Sequence, residues 1–203
     1  MSEGYRVPAS PARAEIEISR SRFIASLGRT ETAEIARTFI QAVRVEFADA
    51  SHHVYAFRAG FPPAVTEGMS DDGEPTGTAG PPVLAVVRGS GAGDLTVVVT
   101  RYFGGTKLGT GGLVRAYTEA AQAVLAAAEY EVKRDYVTLG IEAPYSLFEL
   151  VRRAVEGCAG TLLDQAFAES VTLMIRIERD RVAELTTVLR ELSAGSVVPL
   201  VLD

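Results

Sequence analysis

Tyr136-Val137-Thr138-Leu139-Gly140-Ile141-Glu142 alternates apolar and polar side chains with the period of a half-buried strand, and Pro144 closes it. The elements that follow are equally legible. Ser146 is placed to cap a helix carrying Leu147, Leu150, Val151, Ala154 and Val155, which stops at Gly157. Two strand-like runs, 160–167 and 171–177, are joined by a short polar turn at Glu169-Ser170. Asp180 is placed to cap a second helix, with Val182, Leu185, Val188, Leu189 and Leu192 on one face and Gly195 beyond its end. Residues 197–201 read as a closing strand, and Pro199 puts it at a sheet edge. The order βαββαβ is the ferredoxin-like plan, so residues 135–203 are expected to form a domain of that type. The plan hosts many functions and assigns none.

Upstream, residues 1–134 are expected to form a second domain. Residues 14–19 and 22–27 read as strands broken near Arg20-Ser21. Ile35, Phe39, Ile40, Val43 and Phe47 recur at helical spacing across 32–47, and 53–59 reads as a strand. Residues 61–82 concentrate turn formers and read as largely loop. Residues 83–88 are ambiguous, because Pro81-Pro82 suits a first helical turn while the β-branched residues suit a strand. Leu95-Thr96-Val97-Val98-Val99-Thr100-Arg101 is the strongest strand, expected at the centre of a sheet. The alanine-rich run 113–128 is the strongest helix. The class is α+β.

The chain has 203 residues, 47% hydrophobic and 23% charged, which is a globular rather than a disordered composition. No apolar run approaches the ~18–20 residues of a membrane span. The first six residues lack a secretory start, and a lone cysteine, Cys158, rules out an internal disulfide framework. A cytoplasmic protein with neither membrane nor disulfide partner is expected. The net charge of −6 is uneven, since residues 135–203 hold 11 acidic and 6 basic side chains. A polyanion should therefore meet the first two-thirds of the chain.

Two stretches spend glycine and charge without building an element. The first, residues 70–80, places Asp71, Asp72 and Glu74 within four positions. Such carboxylates must be solvated, paired with cations or bound to a metal, and Mg²⁺ is the ion their chemistry would suit. The second runs from Arg101 to Tyr117 and contains Gly104, Gly105, Gly109, Gly111 and Gly112 with Lys107 and Arg115. A glycine loop entering a helix exposes backbone N–H groups to an anion, so Arg101, Lys107, Arg115 and the glycines are candidate phosphate ligands. The alternative is that the glycines serve tight turns and close packing. Neither the Walker A motif nor the dinucleotide fingerprint is satisfied, because Leu108 follows Lys107 and Val114 replaces the third glycine. His52 and His53 should point to opposite faces of a strand, so only one can join a site. His53 is a candidate base or ligand, the alternative being a hydrogen-bonded structural histidine. Cys158 lacks a neighbouring base in sequence.

Ser21-Arg22-Phe23-Ile24, Asp49-Ala50-Ser51-His52-His53, the 70–80 run and the 101–117 run together resemble the YigZ/IMPACT family across nearly the whole chain. One departure is Val54, where relatives often carry cysteine. The resemblance implies an N-terminal domain like the second domain of small-subunit ribosomal protein five. It implies a C-terminal domain like the last domain of translation elongation factor G, and it tilts 83–88 towards helix. The eukaryotic IMPACT proteins act as translational regulators. The implied function is therefore regulation of translation through RNA, a ribosome-associated component or a translation-related protein. The rival is an enzyme on a small phosphorylated or carboxylated ligand, using Asp71, Asp72 or Glu74 as base or Mg²⁺ ligand. Charge complementarity further predicts that the acidic and glycine-rich stretches meet in space.

Overall fold

Stretches with a two-residue apolar period become strands and those with a helical period become helices in the computed structural model, which describes residues 4–60 and 64–202. They gather into two compact units, Tyr5–Lys133 and a second that begins at Arg134. The first contains β1 (Tyr5–Pro8), β2 (Ala12–Ile18), β3 (Ser21–Arg29), α1 (Ala33–Glu46), β4 (His52–Ala59), β5 (Thr66–Ser70), α2 (Gly80–Gly89), β6 (Leu95–Tyr102), α3 (Gly109–Ala127) and β7 (Tyr130–Lys133). The second contains β8 (Tyr136–Ala143), α4 (Phe148–Gly157), β9 (Thr161–Phe167), β10 (Val171–Glu178), α5 (Val182–Leu192) and β11 (Leu200–Val201).

In the first unit an antiparallel sheet runs in the order β2-β3-β6-β4-β5. β6 is central, and its near-continuous apolar run follows from having helices on both faces. Val97 and Val99 pack with Phe23, Ala25, Val54 and Ala56 against α2 and α3. Val98 points the other way, with Phe57, onto Ile40 and Val43 of α1. Alanines 116, 120 and 121 keep α3 close to the sheet. Ser19 and Arg20 both take left-handed φ, 50° and 65°, the twist that a two-residue hairpin between β2 and β3 requires.

Several elements depart from the sequence expectations. Within the expected loop 61–82, residues 66–70 form β5, and residues 61–63 lie outside the described residues. Gly68 hides that strand's pattern because the Phe57 ring occupies the place of its side chain; a Cβ there would lie 2.4 Å from the ring. Residues 80–89 are helical, with the prolines in the first turn. α3 begins at Gly109, so the second half of the glycine stretch is helix rather than loop. β1 and β7 pair as a two-stranded ribbon that four-residue patterns do not announce.

The second unit has the strand order β11-β8-β10-β9, which is the 4-1-3-2 order of a ferredoxin-like βαββαβ fold. Leu139, Ile141, Leu173 and Ile175 face α4 and α5, where Val151, Val155, Leu185 and Leu189 complete the core. Ser146 and Asp180 do not cap these helices. Each lies in a 3₁₀ turn, Tyr145–Leu147 or Arg179–Arg181, that runs straight into the helix without a side-chain cap. Leu150 is exposed rather than part of the buried face, and the closing strand is only Leu200–Val201. Among the described residues no helix is long and apolar enough to cross a membrane.

Candidate functional site

The side-chain parity of β6 sends Arg101 to the same face as Val97 and Val99, towards α3. There it meets Glu74, with Nη1 2.6 Å from Oε1 and side chains only 6% and 4% exposed. Tyr117 of α3 donates to the same carboxylate oxygen at 2.7 Å. Burial, reinforced by the Glu74 hydrogen bond and charge, pushes the Tyr117 phenol far above its ordinary value, so it remains a donor. Ser21 Oγ accepts from Gly104 N–H at 3.2 Å and from Arg101 Nη2 at 3.4 Å. One buried network thus joins β3, β6, α3 and both signature stretches, as charge complementarity predicts.

Asp72 looks elsewhere. Arg44 of α1 donates to one of its oxygens, and the His53 backbone N–H donates to the other at 2.6 Å. His52 Nδ1 lies 2.8 Å from the Asp72 carbonyl oxygen. A carbonyl only accepts, so Nδ1 carries the hydrogen and Nε2, 3.9 Å from Glu74 Oε1, is left with its lone pair in the neutral ring. His53 makes its equivalent bond from Nε2 to the Phe47 carbonyl at 3.0 Å. Of the two histidines, His52 is the one beside Glu74, while His53 has the structural role of a buried, hydrogen-bonded ring.

Asp71 caps α2 from a distance, accepting from the N–H groups of Gly77 (2.9 Å), Ala79 (3.0 Å) and Gly80 (2.8 Å). Burial alone would raise its pKa, but the three amide donors outweigh that effect and hold it below the ordinary aspartate value. A depressed folded pKa means stability that is present at neutral pH and lost as pH falls through the folded value. Asp71→Ala should cost about 1–2 kcal/mol in thermal melting at pH 7, with the deficit shrinking in acid below the ordinary aspartate pKa. A deficit that persists unchanged at acid pH would contradict the carboxylate's role as cap.

These positions bear on several site expectations. Arg101, expected among the phosphate ligands, is buried and paired with Glu74. Arg115 pairs with Glu119 at 2.7 Å, one helical turn away. Asp71, Asp72 and Glu74, the expected Mg²⁺ candidates, are directed at three different sets of partners. Among the described residues no three His, Cys, Asp or Glu side chains gather as a metal site.

The glycines sort by physical need. A Cβ on Gly104 would sit 2.0 Å from the Arg20 carbonyl, so close packing demands glycine there. Gly105 and Gly109 have φ of +84° and +70°. Gly112 is tight against Leu108, with a Cβ contact of 3.0 Å. Gly111 has neither excuse: its φ is ordinary and a side chain would meet open space. It lies in the first turn of α3, which has no side-chain cap and no acidic residue. The segment leading into that start carries exposed Lys107 and Phe103, 50% exposed, and Arg20 bonds the Thr106 hydroxyl at 2.9 Å. Ser21, Tyr117, Arg44 and Arg20 were not singled out as site residues by the sequence. Ser21 lies in the 21–24 run and Tyr117 in the 101–117 run that carry the family resemblance, whereas nothing in the sequence connects Arg44 with Asp72.

Residues 19–125, which span both stretches and the whole buried network, match the Impact N-terminal domain. IMPACT family member YigZ of Escherichia coli is 37% identical over 202 residues, 99% of each chain. The chain belongs to the IMPACT family. A second IMPACT family member, from Haemophilus influenzae, is 39% identical over 98% of this chain and 97% of its own. Residues 141–196 match a domain of unknown function, DUF1949. A crystal structure described as a hypothetical protein shares 37% identity and superposes with a TM-score of 0.70 over 100% of this chain and 99% of the other.

Proposed function

We propose that this IMPACT-family chain is a translation-associated regulator whose N-terminal unit binds RNA, free or on the ribosome, through the start of α3. The observation that carries the reading is the uncapped glycine-rich first turn, with Gly111 left bare for no packing or backbone reason. The first four N–H groups of a helix lack intrahelical acceptors and carry partial positive charge, which suits a phosphate. Lys107 and Arg20 add cationic charge beside them, and half-exposed Phe103 offers a ring for a base to stack on. The buried Glu74–Arg101–Tyr117 network holds this surface rather than contacting the ligand. The translational part rests on the family resemblance, since its eukaryotic members regulate translation.

Gly111→Asp separates stability from binding. Losing a helical glycine and gaining an acid in the first turn should raise stability by about 1 kcal/mol. The same carboxylate should repel phosphate and weaken a single-stranded RNA oligonucleotide about tenfold or more in fluorescence anisotropy at low salt. Unchanged RNA affinity in this variant would contradict backbone approach at α3.

A further inference from the structure

The ferredoxin-like sheet has helices on one face only. On the other, Gly140 of β8 and Met174 of β10 are paired neighbours, and Leu200 of β11 pairs with Gly140 from the opposite side. Leu202 lies over Gly140, where an added Cβ would come within 3.3 Å of it. Met174, Leu200 and Leu202 are 39%, 67% and 54% exposed and floor a groove of about 650 Å³. Its rim carries the carboxylates Glu142 and Glu169 and its lining includes no Lys or Arg. Glu142 accepts from the Ser170 hydroxyl at 2.5 Å, and neither carboxylate has a cationic partner among the described residues.

We infer that this groove docks a lysine- or arginine-rich amphipathic segment of a partner protein. The apolar floor takes the segment's apolar side, and Glu142 and Glu169 take its cations. Two other occupants fit poorly. A phosphate backbone would meet unpaired carboxylates on a domain of net charge −5 (6 basic against 11 acidic). A second copy of the chain, docked symmetrically, would set the same acidic rim against itself. Strip-like apolar floors rimmed by charge of one sign recognise amphipathic segments of the opposite sign. The inference stands apart from the RNA reading, because it concerns different residues on the other unit.

The test uses the full chain and two synthetic amphipathic helical peptides, one with leucine and lysine faces and the other with glutamate replacing every lysine. The lysine peptide should bind in fluorescence anisotropy, and the glutamate peptide should not. Met174→Asp, and separately Glu142→Gln with Glu169→Gln, should each weaken binding about tenfold while leaving thermal melting near the native value. Gly111→Asp should leave peptide binding unchanged, which keeps failure here distinct from failure of the RNA site. Equal binding of the two peptides would overturn the inference, as would native-like binding by both groove variants. So would displacement of the peptide by RNA, or a dimer in analytical ultracentrifugation that Met174→Asp abolishes.

Discussion

Arg101→Ala should destabilise the N-terminal unit by about 3–5 kcal/mol, because it strands the Glu74 carboxylate inside the protein. Glu74 is 4% exposed and would keep the Tyr117 hydroxyl as its hydrogen-bond partner, with His52 Nε2 3.9 Å away. Ser21 Oγ, which also accepts from the Gly104 N–H, would lose the guanidinium as a donor. The companion variant decides the cause. Glu74→Gln with Arg101→Met removes both charges while keeping much of the volume, and it should recover most of the loss. Calorimetry of the full chain should show the change in the transition of the Tyr5–Lys133 unit alone. A cost below about 1 kcal/mol for Arg101→Ala would place the pair with ordinary surface ion pairs and contradict its burial.

The second large effect is expected at Asp94, a fully buried carboxylate in left-handed conformation before β6. It accepts from the Tyr5 hydroxyl, from Lys133 Nζ at 2.7 Å and from the Gly60 N–H at 2.8 Å. It therefore fastens both strands of the β1–β7 ribbon to the unit. Asp94→Ala should cost about 2–3 kcal/mol, the scale of hydrogen bonds to a charged group. Amide exchange across Tyr5–Pro8 and Tyr130–Lys133 should accelerate well beyond that of β6. Burial, and after it the bond to Asp94, pushes the Tyr5 phenol up to about 12. A raised folded pKa means stability that is complete below about pH 10 and lost as pH rises towards 12. That alkaline loss should be smaller in the variant. Unaltered exchange in the ribbon would show that Asp94 is not its anchor.

What the sequence revealed follows from how strongly each element repeats its own pattern. The seven apolar-rich residues from Leu95 announce β6 as central, and the 135–203 pattern gives the ferredoxin-like order outright. β1 and β7 are too short to show a period, and Gly68 erases that of β5. At the site, shared family signatures and opposite charge lead to the expectation that the acidic and glycine-rich stretches meet, without choosing among Asp71, Asp72 and Glu74. Glu74 is the one that pairs with Arg101. Partner choice did not follow from charge alone. Arg101 was readable as buried, since it shares parity with Val97 and Val99, but its charge drew it towards the phosphate reading instead. His52 likewise shares parity with Val54 and Ala56, which places it rather than His53 beside Glu74. The Arg44–Asp72 pair depends on how α1 crosses the sheet, and no local pattern encodes that.

Co-sedimentation with ribosomes tests the proposed phosphate-binding surface at the start of α3. The native full chain should pellet with ribosomes at low salt and be released as salt rises. With Lys107 and Arg20 as the cationic contacts, the logarithm of affinity should fall with the logarithm of salt at a slope of about −1.4 to −1.8. Gly111→Asp, folded and at least as stable, should remain in the supernatant throughout. A native chain that stays in the supernatant at low salt, or a Gly111→Asp variant that pellets as the native chain does, would contradict the account.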